Sequence, residues 1–262
     1  MLSARCAVLP YNGPVSCPRV YWPVGAEPSG VAELTGDAAH HLRQVLRVAP
    51  GAAVGLFDGR GHEWVGQVES VSRQSVRVAG LVEIAPVAEA RVPVTLAVGV
   101  LKGDQMDAVV RDATMLGVAA IAPMQTAHVT VPPRAWQSGA ARDRWQRVAV
   151  ASATQCRRAV VPDVRAVATF DECVREPAAV RLICVEPALA GAAGGAPAAD
   201  WRTVSRPASV QILIGPEGGW SSAELEQALA AGAQPMYLGP RTLRAETAPV
   251  VALTMVWATW GW

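Results

Sequence analysis

The chain has 262 residues, 51% of them hydrophobic, and a formal net charge of +1. That length holds one large domain or two smaller ones, and that apolar share builds a sizeable core. The near-zero charge excludes a strongly basic nucleic-acid binder, so any such contact has to come from local charge. Lys102 is the only lysine; this arginine bias and the alanine, glycine and proline load read as GC-rich coding. The five cysteines are scattered, odd in number and free of any C-x-x-C pair. They argue against a disulfide framework or a metal site and fit a reducing cytosol. No apolar run has signal-peptide or membrane-spanning length, so a cytoplasmic chain with no membrane partner is expected.

In chain order, residues 1–17 carry no periodic pattern and read as an extension. From about Val20 to Ile84, short strands alternate with turns. A strand at 53–57 runs into Asp58-Gly59-Arg60-Gly61, a hairpin signal, and further strands are expected at 62–68 and 75–78. One helix, at about 37–47, interrupts this small, mostly β unit. Residues 84–91 read as a linker. Strand-like and helix-like runs then alternate. A strand at 94–101 precedes a helix at 104–116, whose Met106, Val109, Val110, Ala113 and Leu116 share one face and whose stop is Gly117. A strand at 118–122 and a second helix at 139–155 follow. Strands at 180–185, 210–214 and 236–238 lead to a last helix through 250–257. The alternation predicts an α/β domain with a mainly parallel sheet. The low-complexity stretch 190–197 is expected to be a mobile loop.

Two stretches stand apart. Val210-Gln211-Ile212-Leu213-Ile214 enters Gly215-Pro216-Glu217-Gly218-Gly219 directly, and a helix pattern starts at once. Ser221 and Glu224 have capping-box spacing, and Trp220 and Leu225 are placed to form a hydrophobic staple. The turn therefore sits at the carboxyl end of a strand, where open α/β sheets bind ligands. Glycines there let a ligand approach the backbone. The dinucleotide, P-loop and hydrolase fingerprints are absent. Glu217 would repel a phosphate, so the turn suits a neutral or cationic ligand. A tight turn closed by glycines is an equal reading of this motif by itself. Leu238-Gly239-Pro240-Arg241-Thr242-Leu243-Arg244-Ala245-Glu246-Thr247-Ala248-Pro249 repeats the pattern: strand, glycine turn, helix start. Arg244 and Glu246 are placed to pair. Two such strand ends can form two walls of one pocket.

These two stretches closely resemble the RsmE family, SPOUT-superfamily methyltransferases that use S-adenosylmethionine to methylate N3 of a uridine in small-subunit ribosomal RNA. Supporting stretches are Lys102-Gly103-Asp104-Gln105-Met106-Asp107, Ala113-Thr114-Met115-Leu116-Gly117-Val118, and Gln155 with Arg158 and Pro162. Pro18-Arg19-Val20-Tyr21, His40 through Arg47, and Phe57-Asp58-Gly59 extend the resemblance to residue 18. It implies a SPOUT-type trefoil-knotted α/β domain at 92–262 and a small N-terminal PUA-like β-barrel RNA-binding domain at 18–85, behind the extension at 1–17. It implies a homodimer to which the C-terminal helix, with Trp257 and Trp260, contributes, core packing being an equal reading of those residues. The implied partner is the decoding region of 16S ribosomal RNA within the small subunit.

By the same resemblance, Leu213, Ile214, Gly215, Pro216, Glu217, Gly218 and Gly219 form one wall of the cofactor site. Leu238, Gly239, Leu243, Arg244, Glu246, Thr247 and Ala248 form a second, and Val185 and Glu186 a third. The uridine N3 proton is weakly acidic and must leave before the nitrogen attacks, so a cation that stabilises the anion is expected. Arg244 and Arg158 are the candidates, with a structural ion pair as the alternative for each. His128 is a candidate base, or simply a hydrogen-bonded surface histidine. Reaching N3 requires an unpaired or flipped base. Arg134, Arg142, Arg144, Arg147 and Arg157, with Trp136 and Trp145 interleaved, suit phosphate contact and base stacking; a solvated helix face is the plainer reading. Arg19, Arg43 and Arg47 would add contacts from the β unit. Departures from the family pattern put Met115, Ala151 and Thr154 at commonly acidic positions, and Ala127-His128 where an arginine–serine pair is usual. They leave open a different target nucleotide, or a non-catalytic cofactor- or RNA-binding paralogue.

Overall fold

Alternation of buried and exposed side chains builds the first unit strand by strand. In the computed structural model, which describes residues 17–23, 30–186 and 200–261, the chain divides into residues 1–58 with 62–85 and residues 59–61 with 86–262. All of the 1–17 extension except Cys17, and the loop at 190–197, lie outside the described residues. The first unit holds β1 (Arg19–Tyr21), β2 (Val31–Thr35), α1 (Gly36–His40), β3 (Ala53–Phe57), β4 (Glu63–Val71) and β5 (Ser75–Ile84). In β2, Ala32 and Leu34 are buried while Glu33 and Thr35 face solvent, the period of two that a half-buried strand requires. The sheet order is β1-β3-β4-β5-β2. Strand β1 joins β3 in parallel and the other pairs are antiparallel. Register shifts between Val65 and Gln67 and between Val68 and Ser70 give β4 the local twist that bulges impose. Among the described residues β1 and β2 do not pair, so the sheet is a half-barrel. The helix expected at 37–47 is a single turn, α1, followed by a wider π turn at His41–Val45, and both Ala39 and Leu42 reach the core.

The second unit is an α/β layer structure. Its elements are β6 (Val94–Gly99), α2 (Gln105–Met115), β7 (Ala120–Gln125), α3 (Ala140–Cys156), β8 (Asp163–Val164), β9 (Ala168–Thr169), α4 (Phe170–Arg175), β10 (Val180–Val185), β11 (Val210–Ile214), α5 (Ser222–Ala230), β12 (Gln234–Tyr237) and α6 (Ala248–Trp260). The main sheet has the order β12-β10-β11-β6-β7-β8, with β9 also pairing β7, and every pair is parallel. All five residues of β11 are buried, as a parallel strand covered on both faces demands. On α2 the buried residues are Met106, Val109, Val110, Ala113 and Thr114, and Gly117 ends the helix with φ 85°. The strand expected at 118–122 lies two residues later. No helix among the described residues is long and apolar enough to cross a membrane.

The order of the sheet matters more than its size. Strands β10, β11 and β12 are consecutive in the chain but stand as β12-β10-β11, and β6 lies beside β11. Being parallel, all four present their carboxyl ends at the same edge.

Candidate cofactor site

The turn after β11 is held on every side. Gly219 has φ 67°, and its N–H closes the turn on the Pro216 carbonyl at 2.9 Å. Ser221 and Glu224 cap α5 reciprocally, as their spacing predicts. The other Glu224 oxygen accepts the Ala127 N–H at 2.8 Å. The Trp220 indole donates to the Cys184 carbonyl at 2.8 Å, and its ring packs on Phe170 with centroids 5.4 Å apart. Trp220 is thus a wall of the sheet edge rather than only a staple for Leu225. A Cβ on Gly99 would sit 2.8 Å from the Pro216 nitrogen, so β6 touches the turn directly. The Lys102 N–H donates to Glu217 at 3.1 Å. His128 Nδ1 lies 2.8 Å from the Gly218 carbonyl; a carbonyl only accepts, so Nδ1 carries the proton. His128 buttresses the turn and is not among the residues that line the cavity.

Behind these contacts lies a cavity of about 310 Å³. From the end of β10 and just beyond it come Val185 and Glu186, and from the end of β11 and its turn Ile214, Gly215, Pro216, Glu217 and Gly219. From the segment after β12 come Leu238, Gly239, Leu243, Arg244, Glu246 and Ala248. Three expected residues do not line it. Leu213 is fully buried and packs in the core with Ala97 and Ile183. Gly218 turns its Cα towards His128, where an added Cβ would sit 2.8 Å from the His128 Cβ. Thr247 precedes α6 as its cap residue and is exposed. Gln105, Cys184, Trp220, Arg241, Thr242 and Ala245 line the cavity as well. Arg241, Thr242 and Ala245 were legible as neighbours of the second motif. Cys184 directly precedes the Val185–Glu186 wall, and Gln105 belongs to the Lys102–Asp107 stretch that carries the resemblance; what brings Gln105 to the cavity is the strand order.

The polar lining favours a ligand rich in donors. Carboxylates come from Glu186, Glu217 and Glu246, and guanidinium groups from Arg241 and Arg244. The Glu186 Oε1 lies 3.4 Å from where a Gly219 side chain would start, so it reaches across the turn. Burial pushes the Cys184 thiol up to about 12, which leaves it a neutral apolar wall. A ligand with a sulfonium, an ammonium, hydroxyl groups and one carboxylate, such as S-adenosylmethionine, fits these partners. Among the described residues no group of three or more His, Cys, Asp or Glu is placed to hold a metal ion.

The structure separates the candidate arginines. Arg244 lines the cavity, is 81% exposed at its side chain and stands 3.9 Å from Glu246, too far for a tight pair. Arg158 is buried: its Nε lies 2.8 and 2.9 Å from the two Glu89 oxygens, and it donates to the Thr114 carbonyl at 3.1 Å. It does not reach the cavity, and the structural ion pair is the role the geometry gives it. Arg19 is likewise buried, paired with Glu63 at 2.7 Å under the Phe57 ring, because β1 and β4 both flank β3. It is not a surface contact for RNA. Arg43 is half-buried and donates to the Ser72 and Arg73 carbonyls, whereas Arg47 is exposed. Arg134, Arg142, Arg144, Arg147 and Arg157 are exposed around α3. Of these, Arg144 pairs with Asp107, with its Nε at 2.9 Å, and Arg142 donates to the Val164 carbonyl at 2.8 Å. Trp145 is a core residue and Trp136 is half-buried, so stacking on Trp145 is excluded. Trp257 and Trp260 also face inward, donating to the Leu116 and Val204 carbonyls. Of the departures, Met115 is 40% exposed, Ala151 is exposed, and the Thr154 hydroxyl bonds back to the Val150 carbonyl.

Comparison with known proteins agrees with this geometry. Residues 88–257 match the RNA methyltransferase domain family, and residues 34–79 match the RNA methyltransferase PUA domain family. A ribosomal RNA small subunit methyltransferase E from Synechocystis is 34% identical over 226 residues, covering 85% of this chain and 71% of that one. The crystal structure of a ribosomal RNA small subunit methyltransferase E from Neisseria gonorrhoeae bound to S-adenosyl methionine superposes with a TM-score of 0.83 at 28% identity, covering 93% and 98% of the two chains. A Legionella pneumophila structure in complex with the bound cofactor SAM gives 0.82 at 30% identity over the same shares. The parallel unit is therefore a SPOUT-type trefoil-knotted α/β domain preceded by a PUA-like unit, a connectivity that general folding rules treat as near-absent. With its glycine turns, its strand order and these relatives taken together, the chain belongs to the ribosomal RNA small subunit methyltransferase E family.

Proposed function

We propose that the protein transfers a methyl group from S-adenosylmethionine to N3 of a uridine in the decoding region of 16S ribosomal RNA, as a cytoplasmic homodimer. The carrying observation is the cavity at the joined ends of β10, β11 and β12, lined by both family motifs. When bound, S-adenosylmethionine supplies an electrophilic methyl group. The chain's own part is placement and charge. The turn at 215–219 presents backbone groups held in advance by Gly99, Lys102 and His128, so little reorganisation is needed on binding. Arg244, exposed at the cavity, would face the negative charge that grows on the uridine as N3 loses its proton, and Arg241 is the second cation there. In this reading residues 92–262 form the catalytic domain. Residues 18–85, with Arg47 and the exposed arginines around α3, hold the RNA backbone. The apolar side chain of Met115, exposed where the family is commonly acidic, supports a second reading, methylation of another RNA nucleotide.

The test is to incubate the purified protein with methyl-labelled cofactor and small ribosomal subunits from a strain lacking this gene. The modified nucleoside is then mapped by mass spectrometry. N3-methyluridine at one decoding-region site is expected. Label on another nucleoside would move the target, and bound cofactor without transfer would point to a non-catalytic paralogue.

A further inference from the structure

Gln105 opens α2 beyond the carboxyl end of β6, the strand next to β11, and lines the cavity. Its segment is pressed against the glycine turn, through Gly99 on Pro216 and the Lys102 N–H on Glu217. Its own N–H is satisfied by the Lys102 carbonyl at 3.2 Å. Its Oε1 is not: the atom is shut off from solvent and has no hydrogen-bond partner. A protein that leaves an acceptor buried and unpaired gives up stability, so the atom calls for an explanation, and beside a cavity a ligand's donor is one.

We infer that Gln105 is a positioning residue for methyl transfer, its half-buried side chain turning so that Oε1 leaves its sealed position and accepts a hydrogen bond from an N–H or O–H donor of the cavity's occupant. This rests on the methyltransferase reading. The donor belongs either to the cofactor, which carries ammonium, amino and hydroxyl groups, or to the target nucleotide, which carries an imide N–H and a ribose hydroxyl.

Gln105→Met keeps the length and removes the acceptor; Gln105→Glu keeps an acceptor oxygen. Without ligand, Gln105→Met is expected to melt at or above the wild-type temperature, because the unpaired acceptor is gone. If the donor is on the cofactor, calorimetry shows the S-adenosylmethionine Kd rising about tenfold in Gln105→Met, with most of the loss restored in Gln105→Glu. If it is on the nucleotide, the cofactor Kd stays at the wild-type value while KM for the ribosomal substrate rises about tenfold, again with rescue by Gln105→Glu. The inference is overturned if both constants stay within about twofold of wild type. It is also overturned if Gln105→Met melts lower and Gln105→Glu rescues nothing, the mark of a merely structural side chain. The wild-type protein separates this from the underlying reading. Cofactor binding with label on an unexpected nucleoside changes the reading and leaves the Gln105 result standing; no cofactor binding at all overturns both.

Discussion

The two glycine-bearing walls of the cavity are built in opposite ways. The turn after β11 is clamped by partners far away in sequence: Gly99, Lys102, His128 and, through Glu224, Ala127. The segment after β12 runs from Gly239 through Thr242 exposed. Among the described residues, its next backbone hydrogen bonds come only where the Thr247 and Ala248 N–H groups reach the Arg244 carbonyl. One wall is fixed by distant partners; the other, among the described residues, makes few backbone hydrogen bonds of its own. Few backbone hydrogen bonds and high exposure are the features of segments with lower local stability.

The largest effect that would test this contrast is on the lightly held wall. Arg244→Ala should lower kcat by about 100-fold and leave the urea unfolding curve unchanged, since the side chain is mostly exposed. Equal losses of activity and stability would mean that this wall is clamped too. Arg158→Ala should do the reverse. It removes a buried guanidinium but leaves Glu89 partly open to water, so it should cost about 1–2 kcal/mol in chemical denaturation while the cofactor Kd measured well below the melting temperature holds. On the clamped wall, Gly99→Ala forces a Cβ to within 2.8 Å of the Pro216 backbone. It should cost about 1–3 kcal/mol and weaken cofactor binding in the same variant, because β6 and the turn move together. Smallest is the chemistry of the wall itself. With burial pushing the Cys173 and Cys184 thiols up to about 12, both stay protonated and unreactive at pH 8. Alkylation followed by peptide mass spectrometry should label Cys156, which is half-buried, well before either.

Much of the second unit could be read in advance because its signals are short-range. The face of α2 repeats every three to four residues, the Ser221–Glu224 box spans one turn, and the glycines at 215–219 directly follow their strand. Residues that line the cavity were found where they share a motif. The errors came where a side chain has two destinations. Arg19 and Trp145 look like surface groups in a local window, yet Glu63 and the core claim them, while Arg158, open between a site cation and a structural ion pair, is taken by Glu89.

By itself, the sequence determined that a strand would end in a glycine turn at a capped helix, and that a second such end would follow, since each depends on residues a few positions apart. It also carried the family. Only the tertiary structure decided what meets across the chain. Glu89 reaches Arg158 over 69 residues and Glu217 reaches Lys102 over 115. Gln105 arrives at the cavity because β6 lies beside β11 and not beside its neighbours in sequence alone. Parallel strands set their ends together according to spatial order, and that order is a property of the packed sheet.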